Sequence, residues 1–202
     1  MNGIWFRYLK RPFDLCVSLG MLVVLAPLML LTAAAVRVRL GSPVLFSQIR
    51  LGRGRETFRL YKFRSMNDAR GADGELLPDA KRLTPFGQWL RTTSLDELPQ
   101  LINILRGDMS LIGPRATLPS YEDHLRAEYP ERFLVPPGLT SLPAVKGRNL
   151  LSSDEKFGLD IDYVRRAGFL MDAYILVMTI PVVLGRKGID PAAGSPPASD
   201  KP

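Results

Sequence analysis

Twenty-two consecutive residues, Leu15 to Val36, carry no charged side chain, and few architectures can accommodate such a segment. At about 1.5 Å of rise per residue, a helix of that length reaches across about 30 Å of hydrocarbon. Pro27 falls near its middle, where proline removes a backbone N–H and crowds the preceding turn. The expectation is therefore two half-helices that meet at Ala26-Pro27. Arg7, Lys10 and Arg11 precede the segment, and Arg37 and Arg39 follow it. Lys and Arg favour the cytoplasmic side, so a re-entrant hairpin that enters and leaves by one leaflet satisfies both ends, whereas a spanning helix must translocate one cluster. A plain transmembrane anchor is the first competing reading. A secretory signal is the second, because Ala33-Ala34-Ala35 resembles a cleavage site, although signal apolar regions run only about 7–15 residues.

With 202 residues the chain makes about one domain, and its net charge of +7 favours anionic partners: nucleic acid, lipid headgroups or phosphorylated substrates. Much of the excess follows the apolar segment, since the nine basic residues between Arg37 and Arg70 face only Glu56 and Asp68. A solvated surface against anionic lipid accounts for such a cluster without any catalysis. No nucleic-acid-binding motif accompanies it, so nucleic acid is not expected as a partner. A lone Cys16 rules out an intrachain disulfide framework, and a lone His124 rules out histidine-rich metal sites.

Val44 to Ile49 and Phe58 to Phe63 read as strands of a small hairpin, and the polar, glycine-bearing stretch from Ala69 to Asp79 as a loop. Thr84-Pro85 starts a helix with the stripe Phe86, Trp89 and Leu90. Ser94-Leu95-Asp96-Glu97 has the form of a capping box, and Leu95, Leu98, Leu101, Ile102 and Leu105 continue at helical spacing. Pro119 to Tyr129 reads as a helix and Pro136-Pro137-Gly138 as a turn. A second capping box, Ser152 to Glu155, opens a helix burying Phe157, Ile161 and Val164. Phe169 to Leu184 is apolar apart from Asp172, is short for a span, and suits a core or interfacial helix closed by Arg186, Lys187 and Gly188. The fold class is α+β, mostly helical. Residues 1–40 form the membrane hairpin, 41–188 a catalytic region integrated with it, and 189–202 a disordered tail.

Asp96-Glu97 is the acidic pair with chemical promise, because N–H groups at a helix start stabilise anions and can bind phosphate. Asp96, Gln100 and Asn103 share a helix face opposite the leucines, giving a polar strip directed away from the core. The bland account of Glu97 is the reciprocal half of the capping box. Arg91, Arg115 and the basic turn Lys146-Gly147-Arg148-Asn149 are candidates for phosphate contacts, since guanidinium pairs well with phosphoryl oxygens.

Six motifs in order carry a resemblance: Lys10-Arg11-x-x-Asp14, the proline-broken apolar segment, Tyr61 to Met66 (YKFRSM), Leu95 to Gln100 (LDELPQ), Gly107 to Arg115 (GDMSLIGPR) and Gly147-Arg148-Asn149. Together they resemble the bacterial sugar transferases, the small monotopic phosphoglycosyl transferases, from about residue 7 to 188. The resemblance implies transfer of a sugar-1-phosphate from a UDP-sugar to polyprenyl (undecaprenyl) phosphate, with release of UMP, as the first membrane step of glycoconjugate assembly. It implies Asp96 as nucleophile and Mg²⁺ contact, Glu97 as its catalytic partner, and Lys62, Arg64, Arg91, Arg115 and Arg148 as substrate-binding residues. It also implies a monotopic protein of the bacterial inner membrane with its active site on the cytoplasmic face, and leaves a homodimer open. Three positions depart from the pattern: Ala116 where proline is common, Thr140 to Val145 where threonine-glycine-leucine is usual, and Ala26 where serine is frequent. The alternative from another class is a non-catalytic basic protein of the membrane surface.

Overall fold

The computed structural model describes residues 4–147 and 150–185. Its helices are α1 (Lys10–Leu40), α2 (Asp79–Arg82), α3 (Pro85–Thr92), α4 (Gln100–Arg106), α5 (Glu122–Glu128), α6 (Leu142–Lys146), α7 (Ser153–Arg166) and α8 (Phe169–Gly185). Its strands are β1 (Leu45–Leu51), β2 (Thr57–Phe63), β3 (Ser110–Ile112) and β4 (Gly138–Thr140). The α+β, mostly helical character matches expectation. Arg148, Arg186, Lys187, Gly188 and the tail from 189 to 202 lie outside the described residues.

The predicted hairpin is present. β1 and β2 pair antiparallel from Leu45 opposite Phe63 to Leu51 opposite Thr57, longer at the turn than the β-rich runs suggested. A second, parallel pair joins β3 to β4, with Ser110 opposite Gly138 and Ile112 opposite Thr140. Pro136-Pro137-Gly138 therefore feeds a strand and is not the turn expected. The glycine is needed for close approach: a Cβ on Gly138 would lie 2.1 Å from the Gly113 nitrogen.

α1 corrects another expectation. The helix is continuous through Pro27, so the two half-helices expected at Ala26-Pro27 are one element. Proline deletes one backbone hydrogen bond but its own φ suits a helix, so the residues on both sides remain helical. With the π-helical turn Trp5–Leu9 ahead of it, this is a 36-residue element long and apolar enough to cross a membrane. Its middle is bare, with Val23, Val24, Leu30 and Leu31 all about 70% exposed.

Both ends of α1 are tied to the rest of the chain. Phe13, Val17 and Met21 pack on the main core, which holds Leu101 and Ile104 of α4, Leu111 and Ile112 of β3, and Tyr163 and Val164 of α7. Each fully buried Leu or Ile there contributes about 1.5–3 kcal/mol. Val36 completes a second cluster with Phe63 of β2 and Leu90 of α3. The Arg11 guanidinium donates to the carbonyls of Ile104 (2.6 Å) and Leu105 (3.1 Å), a cation on the C-terminal end of α4. Asp14 accepts from Ser110 Oγ at 2.7 Å and from the Leu111 N–H at 3.2 Å.

Asp172, the one charge in apolar α8, sits at a buried junction. One of its oxygens accepts from Lys10 Nζ and from Trp5 Nε1, and the other from Tyr163 Oη, all at 2.8 Å. Lys10, Arg11 and Asp14 thus dock the N-terminal helix onto the body, which gives that motif a mechanical reading.

Candidate active site

The site is built on an interrupted helix. Pro99 has no N–H to offer the Leu95 carbonyl, which accepts instead from Leu98 (3.3 Å). The same shortened pattern links Leu101 to Leu98 and Ile102 to Pro99, so Leu95–Glu97 forms a 3₁₀ turn and α4 begins only at Gln100. Ser94 enters this turn with φ at +57° and its side chain does not cap it. The capping box expected at Ser94 is therefore not formed, and the reading of Glu97 as its reciprocal half is corrected.

Glu97 has stronger partners. Its Oε1 accepts from Lys62 Nζ at 2.7 Å and from Arg115 Nη2 at 2.9 Å. Burial would push this carboxyl up, but the Lys62 and Arg115 charges overcome it and hold Glu97 far below the usual carboxylate range. Asp96, its sequence neighbour, goes the other way. It is 6% exposed, and burial lifts its carboxyl to about 6. Lys62, Arg91 and Arg115 pull it down, while the Glu97 charge adds to the rise.

The polar strip Asp96, Gln100 and Asn103 is buried along its whole length, not directed outward as expected. Strand β2 covers it. Asn103 donates to the Arg59 carbonyl at 2.7 Å and to Asp108 at 3.0 Å, and accepts from the Tyr61 N–H at 3.1 Å. These bonds hold β2 on α4 and bring Lys62, on the same strand, over the acidic pair.

Arg115 follows β3. Its carbonyl accepts from the Arg132 guanidinium, whose Nε also donates to Asp160 at 2.8 Å. Arg132 and Asp160 form a pair almost wholly buried beneath the loop that presents Arg115. Sequence reading missed both, since 28 residues separate them and neither belongs to a local pattern.

The structure thus brings Asp96, Glu97, Lys62 and Arg115 together. Arg91 lies beside them, its Nε donating to Ser65 Oγ at 3.0 Å; burial lowers its pKa, against the pull of Asp96. Arg64 is placed elsewhere, 7% exposed and bonded to the carbonyls of Met66 and Ser42 and to Asp68. A small cleft of about 30 Å³ opens between Lys62, Gln100, Arg115, Ala116 and Gly138, with Arg50 on its wall. Arg50 also escaped sequence reading as a site residue; the available signal was a basic residue directly after the β-rich run Val44 to Ile49.

Among the described residues no group of three or more His, Cys, Asp and Glu side chains could hold a metal. The donor set still fits Mg²⁺, which binds through one or two carboxylates with substrate phosphates and water. Asp96 is the carboxylate available for it, because Glu97 is engaged by two cations.

A family model described as bacterial sugar transferase matches residues 5–186. The chain is 45% identical over 181 residues to the uncharacterized sugar transferase EpsL of Bacillus subtilis, a match covering 90% of each chain. It is 36% identical over 187 residues to the UDP-glucose:undecaprenyl-phosphate glucose-1-phosphate transferase of Caulobacter vibrioides, covering 87% of this chain and 69% of that protein. It is 37% identical over 199 residues to the undecaprenyl-phosphate galactose phosphotransferase of Salmonella typhimurium, covering 90% of this chain and 42% of that one.

Proposed function

The chain belongs to the bacterial sugar transferase family, and we propose that it transfers a sugar-1-phosphate from a UDP-sugar to polyprenyl phosphate, releasing UMP. One observation carries the reading: adjacent carboxylates with opposite fates at a cation-lined cleft. Glu97 is fixed as an anion by Lys62 and Arg115, while Asp96, with its carboxyl near 6, is ionised at neutral pH without such a tight hold. A carboxylate in that condition is suited to attack phosphorus.

In the first step an Asp96 oxygen bonds to the β-phosphorus of the donor and the bond to the UMP oxygen breaks. UMP departs with the electron pair, leaving an aspartyl phosphosugar. In the second step a phosphate oxygen of the polyprenyl acceptor attacks the same phosphorus and Asp96 is released as carboxylate. The product is a polyprenyl-diphosphate-sugar. Lys62 and Arg115 hold charge on the transferring phosphoryl group, and Glu97 keeps both in position. A Mg²⁺ ion would be held by Asp96 and would supply further charge neutralisation.

The apolar helix seats the enzyme in the cytoplasmic leaflet of the inner membrane. Support comes from both ends of α1 packing on one body, through Arg11 and Asp14 at one end and Val36 at the other, while its apolar middle is bare. A polyprenyl acceptor requires this attachment.

The test is UMP release from a panel of UDP-sugars with Mg²⁺, alongside mass spectrometry of the protein after exposure to donor alone. Wild type acquires a phosphosugar mass on Asp96 and Asp96→Ala does not. Unaltered turnover in Asp96→Ala would sink the nucleophile assignment.

A further inference from the structure

The cleft has one cation that the reaction above leaves unused. Arg50 of β1 lines it with Lys62 and Arg115. Its Nη2 donates to Gln48 Oε1 at 2.7 Å and its Nη1 to the Ala116 carbonyl at 3.3 Å, both neutral acceptors. Its Nε is buried and has no hydrogen-bond partner among the described residues. A guanidinium carries five N–H donors, so most of this one's capacity is unspent.

The charges do not balance. Lys62 and Arg115 already share one carboxylate, Glu97, and no acidic side chain among the described residues forms an ion pair with Arg50. Burial lowers the Arg50 pKa to about 10, and the neighbouring Arg115 charge pushes the same way. An unmatched cation and an orphaned donor at a cleft wall are costly alone, and both are relieved by a bound anion.

Position says which anion. Lys62 and Arg115 line the cleft with Arg50, and both also donate to Glu97, the sequence neighbour of Asp96. That cation pair is therefore common to the acidic pair and to the Arg50 wall of the cleft, and a diphosphate that engages it has a second phosphate to place against Arg50. Displacement at phosphorus runs roughly in line, with the leaving oxygen opposite the attacking one. Resting on the proposed transfer reaction, we propose that Arg50 is a substrate contact on the leaving-group side, binding the nucleoside-bearing phosphate of the donor and the monophosphate released from it. When the β-phosphorus bond to the bridging oxygen breaks, the new charge on the nucleoside monophosphate falls beside the Arg50 guanidinium. The lipid acceptor also presents a phosphate monoester, so the test separates the two sources.

The experiment uses the full chain in lipid nanodiscs, as wild type, Arg50→Met and Arg50→Lys. Three quantities are read: the single-turnover rate of UMP release with donor alone, the inhibition constant for added UMP, and the KM for polyprenyl phosphate. Arg50→Met is expected to slow UMP release about 100-fold, as loss of a charge-stabilising donor does, and to weaken UMP inhibition at least tenfold, with the acceptor KM unchanged. Arg50→Lys keeps the charge but not the planar fork, and should fall between. UMP-induced thermal stabilisation supplies a readout independent of turnover, large in wild type and lost in Arg50→Met. If Arg50→Met does not fold, wild-type UMP inhibition in the folded Arg50→Lys protein overturns the proposal. So does an effect confined to the acceptor KM, which assigns Arg50 to the lipid phosphate. No UMP release from wild type with any UDP-sugar refutes the transfer reaction itself, whereas normal wild-type release with unaffected variants refutes only the role of Arg50.

Discussion

Lys62 Nζ lies 2.7 Å from Glu97 Oε1, joining the centre of the candidate site to a strand 35 residues earlier in the chain. The contact spares Asp96. With its charge directed at Glu97, Lys62 acts on Asp96 as a field that favours ionisation and not as a tight partner that would blunt the proposed nucleophile.

The pH profile should carry this arrangement. As the proposed nucleophile Asp96 must be ionised, and burial lifts its carboxyl to about 6, so the first half-reaction should rise from pH 5 to pH 7. Lys62→Met removes an interaction that favours the anion and moves the acid limb upward. Glu97→Gln removes a repelling charge and moves it downward. Rapid-quench measurement of UMP release across pH reads both shifts, and equal limbs in all three proteins would refute the assignment.

Asp96 should also cost stability. Its folded value of about 6 exceeds the ordinary aspartate value of 3.8, so the folded state binds this proton more tightly than the unfolded chain. The stabilisation from that proton is fully present below about pH 4 and is lost as the pH rises through 6. Asp96→Asn keeps the shape without the charge. It should be more stable than wild type by on the order of 2 kcal/mol at pH 7, and equally stable near pH 4, in denaturant titrations.

Glu97→Gln discriminates between a cap and a site residue. A true capping box tolerates the amide, whereas here the substitution loosens Lys62 and Arg115. Turnover should fall about 100-fold or more while helical content by circular dichroism is unchanged.

The Lys10–Asp172 pair should behave as a buried ion pair, since both side chains are almost wholly buried. Removing one partner, as in Lys10→Met or Asp172→Leu, should destabilise by about 3–5 kcal/mol, and the double variant should recover much of that loss. Thermal unfolding of the four proteins in one detergent gives the coupling energy.

Topology is open to labelling. In a Cys16→Ser background, single cysteines at positions 3 and 42 should both react from the cytoplasmic side. Reaction from opposite sides would reject the proposed seating in one leaflet.

Local chemistry made some of this molecule readable in advance. Thr84 caps α3, its side chain accepting from the Gly87 N–H, and Ser152 with Glu155 forms a complete capping box, because each needs only residues within one turn. The same pattern at Ser94 misled, since Pro99 forces a tighter turn and distant cations compete for Glu97. The amphipathic strip through Gln100 and Asn103 was visible, but not the strand that covers it. The parallel β3–β4 pair, the Arg132–Asp160 support and Arg50 all depend on contacts made across the chain, which periodicity cannot encode.

The junction at Asp172 has a consequence for biogenesis. A chain made from its N-terminus exposes the apolar helix first, yet the carboxylate that secures Lys10 and Trp5 is synthesised more than 160 residues later. The apolar helix is therefore complete long before the residue that anchors its first turns, and α8 can close onto Lys10 only after nearly the whole chain has been made.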